Sequence, residues 1–113
     1  MAARDFEICI DAIDPERLRP FWRAALGYVD QPAAESGIDL ADPAGVRPAI
    51  WFQRVPEPKA AKNRVHLDIQ AEPGEHEHLV AKLVALGGTV LAEHPRFTTL
   101  ADPEGNELCI NRH

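Results

Sequence analysis

The chain predicts an α+β fold in which two βαβββ modules form one incomplete, barrel-like sheet with a concave cavity. The first observation behind this is an internal repeat. Leu26-Gly27 recurs as Leu86-Gly87, and Asp42-Pro43-x-Gly45 recurs as Asp102-Pro103-x-Gly105, each shifted by 60 positions. The second is that each half opens with an alternating strand and continues into an amphipathic helix stopped by glycine. The third is size. A module of this length cannot close a core alone, so two of them should share one sheet, with apolar sides under the helices and polar sides toward the cavity.

In order, Phe6, Ile8 and Ile10 alternate with Glu7, Cys9 and Asp11, a strand over residues 6–11. Asp14-Pro15 offers an N-cap and a proline at the first helical position. The helix then presents Leu18, Phe21, Trp22, Ala25 and Leu26 before Gly27 ends it, with a slight kink expected at Pro20. Residues 28–31 and 37–40 read as short strands, Asp42-Pro43-Ala44-Gly45 as a type I turn, and residues 49–55 as a further strand carrying Trp51 and Phe52. Proline-rich residues 56–62 form the linker between module one, about 5–55, and module two, about 63–111, within a single domain spanning 1–113. In the second half, Val65, Leu67 and Ile69 alternate with His66, Asp68 and Gln70. A helix over about 74–86 buries Leu79, Val80, Leu83, Val84 and Leu86, and strands follow at 89–92, 97–100 and 107–111.

Composition narrows the function. The net charge is −6 with a pI near 5.3 and no basic run, which argues against nucleic acid and against an anionic membrane surface. No apolar stretch approaches a membrane span and the N-terminus lacks a signal-peptide layout, so a cytoplasmic location is expected. The two cysteines, Cys9 and Cys109, lie in strand-like runs and read as buried, reduced thiols.

Strand parity assigns the cavity face. Shifted by 60, Glu107 matches Arg47, and one inserted residue before the second helix matches His66 with Glu7. The inward positions are then Glu7, Cys9, Asp11, Arg47, Ala49, Trp51, Gln53, His66, Asp68, Gln70, Glu107 and Cys109.

The runs Phe21-Trp22-Arg23-Ala24-Ala25-Leu26-Gly27-Tyr28, residues 52–68 with Val65-His66-Leu67-Asp68, and Leu100-Ala101-Asp102-Pro103-Glu104-Gly105-Asn106-Glu107 resemble glyoxalase-like domains of the vicinal oxygen chelate superfamily. That superfamily also holds glyoxalase I, extradiol dioxygenases, thiol-transferring fosfomycin-resistance enzymes and bleomycin-binding proteins. The resemblance covers essentially the whole chain. It implies a small-molecule ligand and a homodimer. It also implies one divalent ion (Zn, Ni, Mn or Fe) at the first and last strands of each module, and these positions are Glu7, Arg47, His66 and Glu107.

Arg47 departs from this pattern, since a guanidinium repels a cation; either another residue takes its place or the site holds no metal. Two functions therefore stand. One is a glyoxalase-type lyase or isomerase, with metal at His66, Glu107 and Glu7 and with Glu7 or Glu107 moving the proton. The other is a metal-free, drug-sequestering protein whose acidic cavity takes a cationic or polar aromatic molecule. Arg47, Trp51, Gln53, Asp68 and Phe97 are the expected ligand-binding residues, with Trp51 and Phe97 as stacking partners. Replacing Arg47 by Glu is expected to restore the ligand type.

Three other motifs carry no site. Glu75-His76-Glu77-His78 has the spacing H-x-H rather than H-E-x-x-H, Asp102-Pro103-Glu104-Gly105 supplies too few ligands for calcium, and Gly87-Gly88 is a helix stop without phosphate-binding context.

Overall fold

The computed structural model describes residues 1–31 and 39–112, and it divides into two compact units, one up to Glu57 and one from Pro58 onward. The first holds β1 (Ile8–Ala12), α1 (Pro15–Leu26), β2 (Val29–Asp30), β3 (Leu40–Ala41) and β4 (Ile50–Arg54). The second holds β5 (Leu67–Gln70), α2 (His76–Ala85), β6 (Thr89–Glu93), β7 (Phe97–Ala101) and β8 (Glu107–Asn111). Both are βαβββ modules. Their sheets run β1-β4-β3-β2 and β5-β8-β7-β6, with the first and last strands of each module parallel and the other pairs antiparallel. The parallel pairing follows from the helix, since a strand–helix–strand crossover returns the chain in the same direction.

In the first unit, Ile10, Ala12, Ile50 and Phe52 share the buried face of the sheet with Leu18, Phe21, Trp22 and Ala25 of α1. Phe21 and Trp22 meet edge to face at 5.5 Å, and Gly27 closes the helix at φ 68°, a conformation open to glycine at little cost. The second core is smaller and gathers Leu83, Leu100, Leu108 and Ile110, all 0% exposed.

Several strand limits differ from expectation. Phe6 is 65% exposed and Glu7 precedes β1, so Ala12 instead carries the alternation to its buried end. Val65, 82% exposed, lies before β5 rather than in its core face, and Val84 is 45% exposed on α2 instead of lying in the buried stripe. Cys9 is exposed while Cys109 is buried, and both thiols are free. The strand expected at 37–40 falls partly outside the described residues; the described part pairs Leu40 with Asp30 and with Ile50.

The two Asp-Pro-x-Gly turns form as expected. Gly45 N–H donates to Asp42 O and Gly105 N–H to Asp102 O, both at 2.9 Å. Each aspartate side chain also caps its own turn. Asp42 accepts from the Ala44, Val46 and Arg47 N–H groups, and Asp102 from the Glu104 and Asn106 N–H groups.

Candidate functional site in the second module

The polar face of the second sheet is set by register. In the parallel pair, Asp68 stands opposite Cys109, and on the other side of β8 Thr99 stands opposite Cys109 and Phe97 opposite Asn111. His66 lies two residues before Asp68 and so keeps its parity. The result brings His66, Asp68 and Cys109 together: one donor atom from each lies within 4.8 Å of the others, and His66 Nε2 is 3.1 Å from Asp68 Oδ1. Cys109 Sγ is also 3.5 Å from Thr99 Oγ1.

Two cavities open on this face. The larger, about 760 Å³, is lined by Lys59, Lys62, His66, Leu91, Phe97 and Thr99 among others, with Glu104, Glu107 and Cys109. The smaller, about 360 Å³, shares His66, Phe97 and Cys109 with it and adds Asp68, Gln70, Arg96 and Arg112. Of the expected site residues, His66, Asp68, Phe97 and Glu107 therefore meet here. The lining is not acidic, because Lys59 and Lys62 offset Glu104 and Glu107.

Glu107 is fully engaged. Lys59 Nζ donates to its carboxylate, 3.0 Å from Oε1 and 3.2 Å from Oε2, and the Asn63 N–H donates to Oε1 at 2.9 Å. Burial pushes this carboxyl up, but the Asn63 N–H and the Lys59 ammonium outweigh it, so Glu107 titrates below the ordinary carboxylate range. An ion bound through Glu107 would have to displace an ammonium already seated there. As arranged, this residue does not fit the divalent ligand set that the sequence implied.

Glu7, Arg47, Trp51 and Gln53 belong to the first unit. Glu7 is exposed ahead of β1, and Gln53 pairs with Asp11 across β1 and β4 while its Oε1 lies 3.6 Å from Cys9 Sγ. Burial and the Asp11 charge push the Cys9 thiol up against an opposing hydrogen bond with Gln53, keeping it protonated.

Arg47 is not a strand residue. It sits in the segment before β4, where its guanidinium lies 4.9 Å from the Tyr28 ring centroid and 3.3 Å from Asp42 Oδ2. That contact, with the backbone N–H groups around it, holds the Asp42 carboxyl well below its usual range. The pairing registers explain the misplacement. Ile8 pairs with Ile50 and Leu67 with Leu108, so Leu108 corresponds to Ile50 and Glu107 to Ala49. The segment between Gly45 and β4 is two residues longer than its counterpart between Gly105 and Leu108, and the 60-residue shift valid for the turns becomes 58 in the strands that follow.

Sequence reasoning missed Lys59, which fell in the supposed linker, and Cys109 as a donor, which read as a core thiol. The signal for Cys109 was present in its parity, shared with Asp68 and His66. No sequence pattern announces Lys59, whose partner lies 48 residues away.

Among solved structures, the chain is similar to hypothetical protein SA1046 from S. aureus, with TM-score 0.72 and 14% identity over 100% of this chain and 96% of that one. It is also similar to a glyoxalase/bleomycin resistance protein from Albidiferax ferrireducens T118, with TM-score 0.66 and 24% identity over 96% and 98%. A third is the E126Q mutant of the fosfomycin resistance protein FosX from Listeria monocytogenes, complexed with Mn(II) and 1S,2S-dihydroxypropylphosphonic acid, at TM-score 0.72 and 15% identity over 98% and 90%. These likenesses carry the fold. No curated protein sequence matches the chain. Among the described residues no helix is long and apolar enough to cross a membrane. Residues 7–111 match the Glyoxalase-like domain, and the chain belongs to that family.

Proposed function

We propose that this protein binds a small, polar aromatic molecule in the larger cavity of its second module and does so without an ion on Glu107. The observation that carries the reading is the clasp of Lys59 and Asn63 on Glu107, which gives that carboxylate the partner a metal would otherwise be. A volume of about 760 Å³ is in the range of drug-sized ligand sites. Phe97 and Leu91 offer apolar area, with Lys62, Thr99 and His66 as polar partners that fix orientation. Lys59 is committed to Glu107, so Lys62 is the lysine left to receive a ligand carboxylate, which favours an acidic aromatic ligand over a cationic one.

A glyoxalase-type lyase or isomerase would need an ion at His66 and Glu107, helped by Glu7, and a carboxylate left over to move a proton. Glu107 held by Lys59 serves neither role well, which is why binding takes precedence over that reaction. A homodimer, carried over from the family, belongs to the same reading, and light scattering at micromolar concentration checks it.

The test of the ligand class is calorimetric titration with salicylate, benzylamine, fosfomycin and bleomycin. Salicylate is expected to bind, benzylamine is not, and Phe97→Ala should weaken salicylate roughly fivefold, the loss of an aromatic contact worth about 1 kcal/mol. Preference for benzylamine, or an affinity untouched by Phe97→Ala, would overturn the reading.

A further inference from the structure

We infer that His66, Asp68 and Cys109 form a metal site of their own, selective for zinc-class ions and set apart from Glu107. The three donors come from adjacent positions of one sheet face: two from β5 and the segment just before it, at i and i+2, and one from the β8 residue paired with Asp68. They are an imidazole nitrogen, a carboxylate oxygen and a sulfur. This mixture suits a borderline-soft ion and discriminates against magnesium or calcium, which require oxygen.

The spacing is close to that of an occupied site. Ligand atoms about 2.0–2.3 Å from a tetrahedral zinc are about 3.3–3.7 Å from one another. His66 Nε2 and Asp68 Oδ1 are already 3.1 Å apart, and the set as a whole lies within 4.8 Å, so side-chain rotation of about an ångström closes it.

The surroundings are consistent with such an ion. His66 and Asp68 are solvent-accessible at 38% and 56%, which gives an ion a way in, while the buried sulfur anchors it to the sheet. Both cavities reach His66 and Cys109, leaving the fourth position open for water or for an oxygen of a cavity ligand. Thr99 Oγ1, 3.5 Å from the sulfur, is placed to donate to a thiolate and hold it. Binding would release the Cys109 thiol proton to solvent and replace the His66–Asp68 contact by two bonds to the ion. Glu107 cannot compete while Lys59 holds it.

Cobalt(II) titration of the untagged, reduced protein tests this, because a thiolate ligand gives a near-ultraviolet charge-transfer absorption that oxygen and nitrogen ligands do not. One equivalent of cobalt should bind with that absorption, and zinc should displace it. Cys109→Ser should abolish the absorption, and Asp68→Asn, at an exposed position that folding tolerates, should weaken binding roughly tenfold. Cys9→Ser and Glu107→Gln should leave both unchanged. Cobalt binding without the absorption, an absorption lost in Cys9→Ser or Glu107→Gln, or no binding at all would each overturn the inference. Salicylate titration in the presence of EDTA reads the cavity separately, so failure of the metal site and failure of the ligand reading are distinguishable.

Discussion

Replacing Lys59 by Met is the sharpest probe of the second module. It keeps the unbranched apolar stem of the side chain and removes the ammonium from Glu107. The pair is largely buried, the lysine side chain 20% exposed and the glutamate 13%, at 3.0 Å. At an effective dielectric near 20 the bare attraction is about 5 kcal/mol. Desolvation of both ions offsets most of it and residual exposure screens more, so Lys59→Met should cost about 1–2 kcal/mol, or roughly 4–10 °C in Tm.

Urea unfolding of Lys59→Met, Glu107→Gln and the double variant should give a coupling energy of about 1 kcal/mol, since the second change costs little once the first is made. The pH profile carries the sign. Glu107 titrates below its ordinary value of 4.5, so its stabilisation is present above that pH and is lost as pH falls through and below it. Lys59→Met should flatten that acid decline. If the variant stays within about 0.3 kcal/mol of the parent with an unchanged acid limb, Glu107 is in effect free, and the argument that it is closed to an ion fails.

Two further expectations concern the modules separately. Arg47→Glu should not raise divalent-ion affinity, because the strand position corresponding to Glu107 is Ala49; it should instead lower stability in urea by setting a like charge beside Asp42. A calorimetric gain of roughly tenfold or more for zinc would show the 60-residue alignment of those strands to be right after all. On α2, Leu83→Ala should cost about 3 kcal/mol because Leu83 is 0% exposed, whereas Val84→Ala, at 45% exposed, should stay within about 0.5 kcal/mol. Equal losses at the two positions would mean that the helix seats a different stripe.

The architecture was legible because it rests on periodicity and punctuation. Leu18, Phe21, Trp22 and Ala25 recur at helical spacing, Gly27 stops the helix, and both Asp-Pro-x-Gly turns are local in sequence. Strand beginnings were less legible. Phe6 and Val65 are apolar and in phase, yet each precedes the first paired residue of its strand, and pairing depends on where a partner starts. The site was legible in parity and not in partnership. His66, Asp68, Glu107 and Cys109 were assigned to one face from alternation alone, but the segment over them brings Lys59 to Glu107 through tertiary packing that no local pattern encodes. Arg47 was misplaced for a countable reason, a longer connection after the first turn that is silent in composition.

In each sheet the last strand made is an inner one. β8 lies between β5 and β7, as β4 lies between β1 and β3. Both pairings that hold β5 and the β6–β7 hairpin in one sheet therefore run through Glu107–Asn111, and a chain cut short before Glu107 has no ladder joining them. Without β8, Asp68 has no Cys109 opposite it, Leu83 lacks the Leu108 and Ile110 side of its core, and two strand edges stand open. The last strand is thus the one that makes the other three a single sheet. Such a shortened chain would carry the pieces of a site and none of its geometry.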